Sequence, residues 1–273
     1  MNILYLGDIV GRSGRDAVIA QVPNLRRAHD LDLVVACGEN AAHGFGITAA
    51  ICQQLYAAGV DVITLGNHAW DQREIIDYIK TEPRLLRPLN YPPDTPGSGY
   101  GVYMTAKRAR VMVAQVICRL FMENSDDPFR ALEACVAAHP MGYGKPHAAI
   151  VIDIHGEASS EKSALANLVD GKVSLAVGSH SHVPTADTRI LPNGTAFQTD
   201  AGMCGPYDSV IGMRKDIATA KFRTKVPGER LEPAGGEATV CGVIVTTDDR
   251  TGLASAVRPV RVGGVLQATQ TLV

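Results

Sequence analysis

Five short blocks of carboxylate, amide and imidazole recur along the 273-residue chain: Gly7-Asp8, Gly38-Glu39-Asn40, Gly66-Asn67-His68, His155-Gly156-Glu157 and Gly178-Ser179-His180-Ser181-His182. Oxygen and imidazole donors without thiolate suit hard or borderline divalent ions such as manganese, iron, zinc or cobalt. The donors suffice for two ions, and a pair of metals is a common clamp for in-line displacement at phosphorus. His180 and His182 alternate with a period of two, so an extended backbone turns both to one side. Taken singly, each residue has an ordinary reading. Asp8 or Glu39-Asn40 would serve as a cap or turn, and His155 as a hydrogen-bonded loop histidine. Five such blocks, each directly behind an apolar run, are far harder to obtain by chance.

Those apolar runs must position the blocks. Residues 3–6, 33–37, 60–65, 148–154 and 173–177 read as buried strands, with a further strand over 111–118. Amphipathic stretches at 14–28, 48–58 (Thr48 as N-cap), 71–80, 128–138 and 160–168 read as helices. Strand–helix alternation with near-continuous apolar strands implies a parallel sheet covered on both faces. Ligands bind at the carboxyl ends of such strands, where the five blocks lie. Residues 88–100 are rich in Pro and Gly and read as a surface loop. The last third reads as two hairpins, 187–199 turning at Asn193-Gly194 and 240–262 turning at 248–252. The connection at 224–238 is expected to be mobile. No repeat or linker divides the chain, so one α/β domain over 1–273 is expected.

Composition removes several functions. Lys plus Arg total 26 and Asp plus Glu 28, for a formal charge of −2. Long nucleic acids and anionic membranes attract a basic excess that is missing here. Aromatics at 5% make single-strand stacking platforms improbable. The first residues resemble no secretory leader and no run is long enough to span a membrane, so a cytoplasmic location is expected. The six scattered cysteines read as core thiols rather than a disulfide framework. His29, His139 and His147 read as solvated, whereas His43, close to Glu39, is a candidate substrate contact. The stretch Gly44-Phe45-Gly46-Ile47-Thr48-Ala49 is a weak dinucleotide-binding match that leaves the histidines unexplained.

The blocks Gly66-Asn67-His68 and Gly178-Ser179-His180-Ser181-His182 resemble the metal-binding motifs of calcineurin-like metallophosphoesterases. Gly-Asp-Ile-Val-Gly at 7–11, Gly-Glu-Asn-Ala-Ala-His-Gly at 38–44, Gly-Asn-His-Ala-Trp-Asp at 66–71, His-Gly-Glu-Ala at 155–158, His-Val-Pro-Thr-Ala-Asp at 182–187 and Gly-Met-Cys-Gly-Pro-Tyr-Asp at 202–208 are similar to the YmdB-like phosphodiesterase branch. The broad superfamily carries a histidine where Val10 stands and a Gly-Asp-x-x-Asp motif where Gly38-Glu39-Asn40 stand; the branch shares both changes. The resemblance implies a four-layer α/β/β/α sandwich with mixed sheets and two divalent ions, iron or manganese before zinc. It assigns Asp8, Glu39, Asn40 and His182 to one ion and Glu39, Asn67, His155 and His180 to the other. His68 would be the general acid as a metal-bridging hydroxide attacks phosphorus. Glycine-rich loops at 38–46 and 202–205, including Gly205, would bring N–H groups to the phosphate. The implied substrate is a small phosphodiester, foremost a 2′,3′-cyclic nucleotide such as 2′,3′-cyclic AMP, and the implied assembly a dimer or tetramer. A phosphomonoesterase or protein phosphatase on the same site, or a regulatory protein acting through a partner, are the competing functions.

Overall fold

A computed structural model describes residues 1–224 and 228–269. The first half runs β1 (Asn2–Leu6), β2 (Asp8–Ile9), α1 (Gly11–His29), β3 (Leu33–Cys37), α2 (Ala49–Ala57), β4 (Val62–Thr64), α3 (Ile75–Tyr78), β5 (Leu85–Leu86), β6 (Tyr100–Met104) and β7 (Arg110–Ile117). The second runs α4 (Pro128–Ala138), β8 (Ala149–His155), α5 (Ser159–Leu168), β9 (Leu175–Ser179), β10 (Arg189–Ile190), β11 (Ala196–Gln198), β12 (Met203–Cys204), α6 (Lys215–Thr224), β13 (Val240–Thr247) and β14 (Ala254–Val262).

Two mixed six-stranded sheets result, ordered β14-β13-β1-β3-β4-β5 and β10-β11-β9-β8-β7-β6, with β12 and β2 pairing separately. In the first, β1, β3, β4 and β5 are parallel, and β13 pairs antiparallel with both β1 and β14. In the second, β7, β8, β9 and β11 are parallel, with antiparallel β6 and β10 at the edges. Successive residues of a strand face opposite ways, and the packing follows that alternation. Ile3 and Tyr5 of β1 pack with Val111, Val113, Val151 and Val177 of the other sheet. Leu4 and Leu6 pack instead with Val18 and Val22 of α1 and Leu55 of α2. Met112, Ile150 and Ile152 gather with Leu132 of α4 and Leu165 of α5. No helix among the described residues is long and apolar enough to cross a membrane.

Local chemistry sets the helix ends. Thr48 Oγ1 accepts from Ile51 N at 3.3 Å, as its position before α2 predicts, and Asp127 caps α4 ahead of Pro128. Several expectations need correction. The helix expected over 71–80 shrinks to α3, because 66–74 coil into successive turns such as Ala69 N to Gly66 O. The loop expected over 88–100 ends in β6, an edge strand that β7 recruits by pairing. The strand expected over 173–177 is displaced to β9, two residues later. Much of the 224–238 connection is tied down, since Arg214 N donates to Glu232 O (2.9 Å) and Ala234 N to Gly212 O (2.8 Å); residues 225–227 lie outside the described residues. His147 is buried against the His139 ring rather than solvated. All six thiols are free and buried.

Candidate metal centre

Every strand behind which a block was expected delivers it to one place, with donors from both sheets. Asp8 sits on β2, immediately after β1, and is fully buried. Its Oδ1 accepts from Cys37 Sγ (3.4 Å) and its Oδ2 from His180 N (3.0 Å). Burial pushes the Cys37 thiol well up, so it remains a donor and not a thiolate. Glu39 follows β3, and its Oε2 accepts from His68 N at 2.8 Å. Its Oε1 lies 3.1 Å from His155 Nε2, yet in a direction that makes no hydrogen bond, so this buried oxygen has no donor. Asn40 donates its amide to Gly44 O (3.1 Å), which leaves Oδ1 facing His182 Nε2 at 3.3 Å.

The imidazoles are oriented from behind. Ser179 Oγ donates to Asp153 Oδ1 (2.7 Å) and so accepts from His155 Nδ1 (2.9 Å). That bond turns His155 Nε2 toward Glu39 Oε1 and toward Asn67 Oδ1, 2.9 Å away. His182 Nδ1 donates to Ile211 O (2.7 Å), presenting Nε2 to Asn40 and, 3.9 Å off, to Asp8 Oδ1. A second group that fixes the outer nitrogen is the usual device of metal-binding histidines. His180 places its ring 4.9 Å from that of His155 and its Nε2 3.3 Å from Glu157 Oε2. Both His180 (φ 95°) and His182 (φ 65°) occupy left-handed backbone, costly for side chains that carry a Cβ.

The charge balance fits a cation. Burial pushes Asp8 and Asp153 above the usual carboxylate range. Burial also acts against the Glu39 carboxylate, but the nearby charges of His155 and His68 outweigh it and hold Glu39 at about 2. His155 rises to about 9 because Glu39, Asp8 and Asp153 overcome the desolvation of its ring. Burial and the neighbouring His155 lower His180 to about 3, so it stays a neutral donor. Asp8 and Glu39 leave a buried anionic pocket, and a proton on His155 is the charge that balances it. Glu39, His155 and His180 have donor atoms mutually within 4.8 Å, as do Asp8, Cys37 and His155. Space is provided too, since a Cβ on Gly66 would collide with Glu39 Oε2 and His155 Nε2. The orphaned oxygen, the convergent lone pairs and the missing side chain at Gly66 all fit bound divalent metal.

His68 stands apart from this cluster. Its Nδ1 meets Asp71 Oδ2 at 2.7 Å, and the Phe45 ring packs edge-on at 5.2 Å. Of the candidate substrate contacts, His43 is exposed on a left-handed turn (φ 52°). Gly205 fares worse, because its N–H donates to Thr239 O at 3.0 Å and is not free for a phosphate. Sequence reasoning missed Asp153, which accepts from Thr64, Gln115 and Ser179. It also missed Lys162 and Asp200, a buried ion pair at 2.8 Å. Asp200 accepts in addition from Ser181 N (3.0 Å) and Gly202 N (2.8 Å), so it grips the backbone between the two strained histidines. The available signal was a lone charge amid apolar neighbours, as in Ile152-Asp153-Ile154.

Residues 4–260 match the profile of a family described as YmdB-like protein. The chain belongs to the YmdB-like family. A relative from Bacillus subtilis, named 2′,3′-cyclic-nucleotide 2′-phosphodiesterase, is 44% identical over 92% of this chain and 93% of its own. Among solved structures, a hypothetical protein from Thermus thermophilus superposes with a TM-score of 0.89 at 38% identity, covering 97% of this chain and 100% of the other. A Mycoplasma pneumoniae protein described as a novel phosphatase gives 0.87 at 30% identity, over 96% and 93%. The second places this YmdB-like chain in a mixed α/β fold shared with a protein described as a phosphatase.

Proposed function

We propose that the protein is a metal-dependent phosphodiesterase that opens 2′,3′-cyclic nucleotides such as 2′,3′-cyclic AMP. The observation that carries this reading is the largely buried cluster of Asp8, Glu39, Asn40, Asn67, His155, His180 and His182, with His68 beside it and outside it. The name of the Bacillus subtilis relative supports the choice of substrate. In this reading Asp8, Glu39, Asn40 and His182 would hold one ion, and Glu39, Asn67, His155 and His180 the other, iron or manganese before zinc. Bound dications would supply an activated water at neutral pH and neutralise the non-bridging phosphate oxygens.

The chain's own residues do the rest. Asp71 accepts from Nδ1 of His68, so in the doubly protonated ring it is the proton on Nε2 that reaches the leaving oxygen. Water adds its oxygen to phosphorus and loses a proton to solvent. The bond from phosphorus to the 2′-oxygen breaks, that oxygen takes the His68 proton, and a 3′-monophosphate remains. The Glu39 bond to His68 N couples the acid's backbone to the metal cluster, so the two keep a fixed separation. The same reading takes the three apolar clusters as seams of a four-layer α/β/β/α sandwich, one domain over 1–273, forming a cytoplasmic dimer or tetramer. The test is metal analysis of protein purified without added metal, then hydrolysis of 2′,3′-cyclic AMP, a linear dinucleotide and an aryl monoester on the same sample. Bound metal with preference for the cyclic diester is expected. Absence of metal together with absence of metal-stimulated hydrolysis would overturn the reading, and preference for the monoester would favour a phosphatase.

A further inference from the structure

A cavity of about 1020 Å³ opens between α6 and the segment around residue 230. Its size is at the upper end of small-molecule sites. Phe45, Ile217, Ala220, Lys221, Arg230 and Leu231 line it. Phe45 belongs to two places at once, because its ring also packs 5.2 Å from that of His68. The backbone behind it is fixed: Gln72 Nε2 donates to Phe45 O (2.8 Å), and Asn40 Nδ2 to Gly44 O (3.1 Å). Phe45 is nevertheless only half-buried. The Arg230 guanidinium stands over it at 5.8 Å from the ring centre, near the outer limit of a cation–π contact. The ring is thus rigidly mounted and loosely covered, and a flat π-system entering the cavity would gain stacking that Arg230 does not provide.

Building on the phosphodiesterase reading above, we infer that this cavity is a nucleobase subsite. Phe45 is the stacking platform, Arg230 closes over the base, and the ribose bridges the distance back to His68. A phosphodiester with no base would reach the metal cluster but leave the cavity empty. Discrimination by stacking on one aromatic ring is worth about ten- to a hundredfold.

The test compares metal-loaded full-length protein on 2′,3′-cyclic AMP and on glycerol 1,2-cyclic phosphate, which has the same strained five-membered ring without a base. Ala220→Trp fills the cavity from α6, and Arg230→Gln removes the covering charge. The ratio of kcat/KM for the nucleotide over the glycerol ester is expected to fall at least tenfold in Ala220→Trp and several-fold in Arg230→Gln. Binding supplies a readout independent of turnover. By calorimetry, 3′-AMP is expected to bind the wild type at least tenfold more tightly than glycerol 2-phosphate, and Ala220→Trp to erase the difference. Equal affinities in the wild type, or unchanged ratios in both variants, would overturn the subsite. If the wild type hydrolyses neither ester while the affinity difference and its loss in Ala220→Trp remain, the phosphodiesterase reading fails and the subsite stands.

Discussion

Lys162→Met isolates a support that lies outside the cluster of candidate ligands. The ammonium is almost wholly buried and meets Asp200, which is fully buried, at 2.8 Å. Methionine nearly matches the lysine stem in volume, so the loss is one of charge, not packing. Asp200 would keep its bonds from Ser181 N and Gly202 N but carry an uncompensated buried charge. Breaking such a pair costs about 3–5 kcal/mol. For a chain of this length that corresponds to a fall in Tm of about 6–20 °C. The double variant Lys162→Met/Asp200→Asn removes both charges and keeps an acceptor for one of the two N–H groups, which bond to different oxygens of the carboxylate, so it should recover part of the loss. Urea unfolding of the metal-free proteins gives the coupling between the two positions. Metal content should fall in the single variant as well, because Asp200 grips the backbone between His180 and His182. A loss under about 1 kcal/mol that simply adds to that of Asp200→Asn would refute the reasoning.

Other outcomes are equally specific. His68→Ala should keep its metal by elemental analysis and lose about 10²- to 10⁴-fold in kcat, while Asp71→Asn should lose less and alter the pH profile of kcat. Gly66→Ala drives a Cβ into Glu39 and His155 and should cost about 1–3 kcal/mol together with bound metal, measured by unfolding and elemental analysis. Chelation should lower Tm, and manganese at a hundred times its Kd should restore about 2.7 kcal/mol of stability, read by calorimetry. If two ions are bound as proposed, His180→Ala should lose one of them, since a ring nitrogen of His180 lies with the Glu39 and His155 donors; retention of both would reassign the ligand.

Polar blocks at the ends of apolar strands made the cluster legible in the sequence. Residues 33–37 form the expected strand at both ends, and 128–138 the expected helix. These segments are apolar on the faces that become core, so local pattern and tertiary packing agree. Agreement fails where pairing or long-range contact decides. Residues 100–104 are a strand only because β7 offers an open edge, and their side chains are buried on one face at most. Residues 215–224 bury little beyond Ile217 and Ala218, so α6 has no clear apolar stripe. The two-residue pairing of β2 with β12 joins positions 195 residues apart. The supports of the site were hidden for the same reason. Lys162 and Asp200 are 38 residues apart, and nothing local says that a helical lysine points inward.

Donors of the cluster come from both sheets: Asp8, Glu39 and Asn67 follow β1, β3 and β4, whereas His155, His180 and His182 sit on β8 or follow β9. A cation held there would act as a crosslink between two halves that otherwise meet through Ile3, Tyr5, Val113, Val151 and similar apolar contacts. Metal binding should therefore slow amide exchange along the central strands of both sheets together, far from the ligands themselves. Peeling one sheet away would break the coordination shell first, which ties the lifetime of the bound ion to the cooperativity of the whole fold.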